Sequence, residues 1–208
     1  MVENNFDKVQ GFVNNGDCQE NFQKGKEWSF DLKVGDEYFV SGDTLPSKLT
    51  DSNPFIIIKP GQFAILETKE TVSLNREYMA LISVKFSFKK KGLINVSGFH
   101  VDPLYKGKII FTVFNAGPNE IYIKRDEYVF MIFFMKLTKP LPKECDIRQG
   151  YQGIPKEMFA NLGGGSLTLM EYNKKIEQIE FYIKFIIVPV AISIFVFLIG
   201  SFFKSIIH

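Results

Sequence analysis

Apolar and polar positions follow three rhythms along this chain. Between residues 27 and 137, short apolar runs are cut by turn signals. These are Ser41-Gly42-Asp43, Asn53-Pro54, Lys59-Pro60-Gly61, Lys91-Gly92, Tyr105-Lys106-Gly107, Asn115-Ala116-Gly117-Pro118-Asn119 and Arg125-Asp126-Glu127. Signals about ten residues apart, with no long helical pattern between them, predict an all-β barrel or sandwich. Upstream, residues 1–26 are polar and rich in Asn, Gln and Gly, the pattern of a loosely packed arm. Downstream the spacing changes. Leu169, Tyr172, Ile176, Ile179 and Ile183 recur at intervals of three and four, which places one apolar stripe on a helix from Leu167 to Tyr182. Gly163, Gly164 and Gly165 precede it as a hinge. Such a stripe packs against its own copies, or lies against the body or a bilayer surface.

From Phe185 to Phe203 no charge occurs, and Lys184 and Lys204 stand at the two ends. About 20 apolar residues rising 1.5 Å each span a bilayer core, and lysines at the ends reach the headgroups. The run predicts a transmembrane helix, a single-pass C-terminal anchor, with Pro189 near its start able to kink it. The expected organisation is a polar arm (1–26), a β domain (27–160), a hinge with an amphipathic helix (161–180) and a membrane tail (181–208).

Composition sharpens this picture. The chain has 208 residues and a net charge of +2. The tail holds Lys184 and Lys204 and no acid, so basic and acidic residues balance over residues 1–180. A neutral body lacks the basic surplus that gripping a nucleic acid backbone needs, and no nucleic acid partner is expected. With 46% hydrophobic residues, the chain has enough apolar surface to bury a core. Cys18 and Cys145 are too few and too isolated for a disulfide framework or a zinc site. Met1 to Gln10 has neither the basic nor the apolar region of a signal peptide, so the β domain is expected in the reducing cytoplasm.

Five segments, in order, resemble the dCTP deaminase and trimeric dUTPase family. Ser29-Phe30-Asp31-Leu32-Lys33-Val34-Gly35-Asp36-Glu37-Tyr38 is similar to the deaminase opening Ser-x-Asp-Leu-Arg-Leu-Gly-x-Glu-Phe, and Lys59-Pro60-Gly61-Gln62-Phe63 to Glu-Pro-Gly-Glu-Phe. Val101-Asp102-Pro103-Leu104-Tyr105-Lys106-Gly107 resembles Ile-Asp-Pro-Gly-aromatic-x-Gly, followed by Asn115-Ala116-Gly117; Gly150-Tyr151-Gln152-Gly153 resembles Lys-Tyr-Gln-Gly. The resemblance implies a distorted β barrel or jelly roll, homotrimers with nucleotide sites between subunits, and Mg2+ where a triphosphate is bound. It places Ser87, Lys90, Asp102, Tyr105, Asn115, Tyr151 and Gln152 at nucleotide-contacting positions. Asp102 stands where the family's water-orienting aspartate stands, and Tyr105 where an aromatic stacks under deoxyribose. The plain alternatives are a turn aspartate and a core tyrosine.

Departures from the pattern bear on catalysis. The deaminase loop Ser-Ser-x-Ala-Arg becomes Phe86-Ser87-Phe88-Lys89-Lys90, and a lysine lacks arginine's bidentate fork. Thr112 stands at the proton-shuttling glutamate, and a hydroxyl cannot serve as a general base near neutral pH. Met131 replaces a glutamine and donates no hydrogen bond. Lys89, Lys90 and Lys91 either hold a triphosphate as point charges or form a solvated loop. His100 is either a base or structural. The expectation is a membrane-anchored, trimeric nucleotide-binding protein, degenerate for deamination and acting as a sensor or regulator. The alternatives are an active dUTP or dCTP pyrophosphatase using Asp102, and a nucleotide-controlled membrane effector whose helices oligomerise.

Overall fold

A computed structural model describes residues 10–14, 29–160 and 169–207. The chain divides into two compact units, Met1–Ser166 and Leu167–His208. Cys18 and the Gly163–Gly165 hinge lie outside the described residues; Cys145 is a free, partly exposed thiol.

The first unit is a sheet of mostly antiparallel strands curled on itself, as the strand-and-turn rhythm predicts. Its path runs β12 (Arg148–Gln149), β9 (Tyr105–Asn115), β5 (Phe63–Ser73), β2 (Phe30–Val40), β11 (Tyr128–Lys136), β6 (Tyr78–Val84) and β8 (His100–Val101). β1 (Val13–Asn14), β3 (Ser47–Lys48) and β7 (Leu93–Asn95) attach to β5, β2 and β9. β4 (Phe55–Ile58) pairs with β10 (Ile121–Lys124) as a separate ribbon. The only parallel pairing among the described strands is β12 on β9.

Period-two alternation decides which face is buried. Along β9, Gly107, Ile109, Phe111, Val113 and Asn115 point inward; along β6, Tyr78, Ala80, Ile82 and Val84 do so. Ile56, Ile58, Ile121 and Ile123 of the ribbon face the same interior. Phe111 of β9 stacks on Phe130 of β11 at 3.9 Å between ring centres, although β5 and β2 separate those strands in the sheet. Contact across two intervening strands requires the sheet to curl.

Two expectations need correction. Residues of the supposedly loose arm enter the core: Phe12 and Val13 are buried, and the Phe12 ring lies 5.1 Å from that of Tyr78. Two apolar residues beside the end of β5 gain more from burial than a short polar stretch can oppose. Tyr105-Lys106-Gly107 is strand, not turn; the reversal falls at Asp102–Leu104, just before β9. A short helix, α1 (Phe86–Lys89), interrupts the β region and buries only Phe88.

A smaller apolar cluster lies on the opposite face of the sheet. Phe39 and Ile65 are covered there by Ile154 and Phe159, the latter from the single-turn helix α2 (Lys156–Phe159). Residues 148–159 thus form a strap along the sheet's outer face.

In the second unit, α3 (Leu169–Tyr182) continues through a π-helical turn at Ile183–Ile187 into α4 (Val188–Ile207). Pro189 offers no N–H, and its ring conflicts with the carbonyl one turn back, which accounts for the wider turn ahead of it. Ser193 Oγ donates to the Pro189 carbonyl at 2.9 Å. Lys175–Ile199 is long and apolar enough to cross a membrane, and none of it is buried within the chain. Lys184 pairs with Glu180 at 3.3 Å.

Candidate functional site

Asp102 sits in the tight turn that delivers the chain from β8 into β9. Tyr105 N–H donates to the Asp102 carbonyl at 3.3 Å, and Leu104 takes φ +65°. That left-handed conformation suits glycine, so this turn explains the glycine in the motif that the segment resembles. Here a buried leucine occupies it. The Asp102 carboxylate is half-exposed. Arg148 Nη1 donates to its Oδ2 in an ion pair, and His100 Nε2 lies 3.6 Å from Oδ1.

Arg148 reaches Asp102 because β12 pairs with the start of β9. Arg148 stands opposite Tyr105, and its N–H donates to the Leu104 carbonyl at 2.9 Å. Two further bonds extend the strap: Gly150 N–H to Lys106 O and Lys108 N–H to Tyr151 O, both 2.8 Å. Glycines permit this close approach. A Cβ on Gly107 would meet the Gly150 backbone at 2.6 Å, and one on Gly150 would meet the Tyr105 ring at 2.3 Å. Gly150 stands where the resembling motif has lysine. The Tyr105 hydroxyl donates to the Lys108 carbonyl. Burial raises its phenol above the ordinary value. Tyr151 and Gln152 are exposed beyond this clasp.

Carboxylates on β2 and β5 were passed over by sequence reasoning. Glu67 is buried; its Oε1 accepts from Lys108 Nζ at 2.5 Å, and its Oε2 has no partner. Glu37 Oε2 accepts the Ile154 N–H at 2.9 Å, tying the strap to β2. Glu70, fully buried, accepts the Lys33 N–H at 2.9 Å through Oε2 and leaves Oε1 without a partner. Desolvation pushes its carboxyl up to about 7, against the Glu70 and Lys33 backbone N–H groups. Glu67 borders a register shift in β5 between Glu67 and Thr71, and Glu70 lies within it. Two acids following the apolar run Phe63–Leu66 of the same strand were the signal that could have drawn attention to them.

The remaining sequence-derived residues lie elsewhere. Asn115 ends β9, ten residues from Tyr105, a separation of about 33 Å along an extended strand. Its buried amide donates to Ile58 O at 2.8 Å and Asn119 O at 2.9 Å, and accepts from Gly117 N–H at 2.9 Å. These bonds fold the 115–119 loop. Ser87 and Lys90 are exposed at α1, whose chain continues into β7 beside that same end of β9. Lys89 Nζ donates to Ser83 Oγ at 2.7 Å, and Lys91 lies 4.9 Å above the Phe88 ring, so Lys90 is the outward lysine of the three. Thr112 faces the outer side of β9, opposite Ile65, and Met131 stands opposite Asp31 and Ser83. The structure therefore gathers Asp102, Tyr105 and Tyr151 at one end of β9, with Gln152 following, and Ser87, Lys90 and Asn115 toward the other. Among the described residues, no three His, Cys, Asp or Glu side chains converge to hold a metal ion.

Comparison with known proteins adds to this geometry. A dCTP deaminase of Pyrococcus horikoshii is 28% identical over 131 residues, covering 63% of this chain and 80% of that enzyme. One from Thermococcus kodakarensis is 32% identical over 124 residues, covering 60% and 76%. Among solved structures, the dCTP deaminase of Agrobacterium tumefaciens aligns with a TM-score of 0.47 at 13% identity, over 57% of this chain and 41% of that one. The native EIAV dUTPase aligns at 0.39 and 16% identity, over 57% and 95%. A mutant dUTPase of phage phi11 of S. aureus, described for the coordination of a structural Mg(II) ion, aligns at 0.43 and 12% identity over 60% and 86%. The dCTP deaminase-like family model matches residues 13–137, more than half of the sequence, and the chain belongs to that family.

Proposed function

We propose that this chain is a membrane-anchored, homotrimeric nucleotide-binding member of the family, degenerate for deamination, that acts as a sensor or regulator. The carrying observation is Thr112, a residue with no general base to offer, in the strand that follows a turn where Asp102, Pro103 and Tyr105 match the family motif and Leu104 replaces its glycine. The separation of the two residue groups on β9 supports sites between copies. One end of a β9 strand would supply Asp102, Tyr105, Tyr151 and Gln152. The neighbouring copy would bring Ser87 and Lys90 on α1, with Asn115 holding the adjoining loop. The ligand is a deoxynucleoside triphosphate carrying Mg2+ on its phosphates. Lys90 contributes a point charge rather than a bidentate clamp. The helix Lys175–Ile199 anchors the protein in the bilayer, with the β domain in the cytoplasm.

Calorimetry of the full chain in detergent with Mg2+ and each deoxynucleoside triphosphate tests this reading. Saturable binding at or below millimolar ligand, without release of ammonia from dCTP, is expected. Absence of binding to any of them at millimolar concentration overturns it.

A second reading, hydrolysis of dUTP or dCTP to the monophosphate and pyrophosphate, is favoured by the half-exposed Asp102 carboxylate in its turn. It requires pyrophosphate release that disappears in Asp102→Asn. An effector reading, in which ligand state biases self-association of the C-terminal helices, is separated by deleting residues 181–208. An enzyme keeps its activity, whereas an effector loses its cellular effect.

A further inference from the structure

We infer that Arg148 is a built-in occupant of the Asp102 carboxylate: the strap closes the site on itself, and a ligand that uses Asp102 must first displace the guanidinium. The inference rests on Asp102 being the ligand-facing carboxylate of the proposed site.

Three observations carry it. Arg148 Nη1 is paired with Asp102 Oδ2, so the group that would order a water or face a sugar already has a cationic partner from its own chain. Arg148 is delivered by main-chain pairing, through its bond to Leu104 O and the parallel register of β12 on β9, rather than by a freely swinging side chain. Lastly, the strap has two halves of unequal hold. Ile154 and Phe159 are buried against Phe39 and Ile65, whereas Arg148, Gln149, Tyr151 and Gln152 are exposed and depend on backbone bonds and the glycine contacts. The apolar half keeps the strap attached while the Arg148 half opens. A half-exposed pair contributes little stability, so such a latch is reversible under a modest competing interaction.

Hydrogen exchange on the full chain in detergent, followed by mass spectrometry on peptides covering residues 148–152, reads the latch without any ligand. In Arg148→Ala and in Asp102→Asn, these amides are expected to exchange about 1.5- to 5-fold faster. The double variant should add no further change, and Arg148→Lys should stay near the parent. Unchanged exchange in both single variants, or fully additive effects, overturns the latch. Titration with Mg2+ and dUTP or dCTP reads its consequence. Arg148→Ala should bind more tightly by the same factor, because the internal competitor is gone. Weaker binding in Arg148→Ala overturns the inference and makes Arg148 a ligand contact. If neither protein binds nucleotide, the proposed function fails, while the exchange measurement still decides whether the latch exists.

Discussion

Glu70 is fully buried in β5, with one carboxyl oxygen accepting the Lys33 N–H and the other unpartnered. Its folded pKa of about 7 lies above the ordinary 4.5. Between those values the folded state holds a proton that the unfolded state has released, so stability falls as pH rises through this window and levels off above it. A shift of this size corresponds to on the order of 3 kcal/mol. Glu70→Gln, which cannot ionise, should flatten the slope and gain stability at pH 8 relative to the parent, with no gain at pH 4. Urea unfolding of both proteins at the two pH values checks this. Leu104 presents a different conflict. Its φ of +65° disfavours any side chain, yet the side chain is buried. Leu104→Ala loses the burial and keeps the strain, whereas Leu104→Gly loses the burial and relieves about 1 kcal/mol. The usual order should invert, with glycine the milder replacement in denaturant unfolding. The glycine in the motif that the sequence resembles hints at this position. The leucine's burial depends on the turn's placement against residues such as Asn75, whose carbonyl accepts the Leu104 N–H.

At the scale of elements, the strap on β9 shows how glycines substitute for side-chain packing. The Cβ of Gly107→Ala would strike the backbone of Gly150, whereas that of Gly150→Ala would strike the movable ring of Tyr105. Gly107→Ala should therefore be the costlier change, at about 1–3 kcal/mol, because backbone cannot swing aside. Both should speed tryptic cleavage after Arg148, which lies exposed on the strap; electrophoresis of timed digests measures it. Sequence patterning found the all-β class and most turns, because alternation and turn chemistry are local. It placed a turn at Tyr105–Gly107, where the structure has strand, because glycine signals both a reversal and a close approach of two backbones. Only the pairing partner tells which. The same holds for Phe12 and Val13: two apolar residues in a polar stretch carry no periodic signal, and their burial is decided by the β5 edge and the Tyr78 and Phe134 rings beside them.

On the scale of the whole molecule, two predictions concern assembly. The full chain in detergent should run as three copies in native mass spectrometry; a monomer would remove the support for sites shared between copies. Cells expressing the chain should carry it in the membrane pellet after alkaline carbonate washing, and deletion of residues 181–208 should move it to the supernatant. Behind this expectation stands Lys175–Ile199, long and apolar enough to cross a membrane, with its described side chains exposed.

By itself the sequence determined the all-β class of the body, the order of body and apolar helix, the neutral charge of residues 1–180 and the family motifs, Asp102 among them. Each depends on local periodicity, composition or contiguous residues. Tertiary structure decided which of those residues meet. It set Arg148 on Asp102 across 46 positions of sequence. It spent the Asn115 amide on the 115–119 loop, separated Lys90 from Asp102 along β9, and left Glu67 and Glu70 each with an unpartnered buried oxygen. Strand pairing brings distant residues together through main-chain hydrogen bonds that every residue but proline can make, so side-chain identity alone cannot announce the contact.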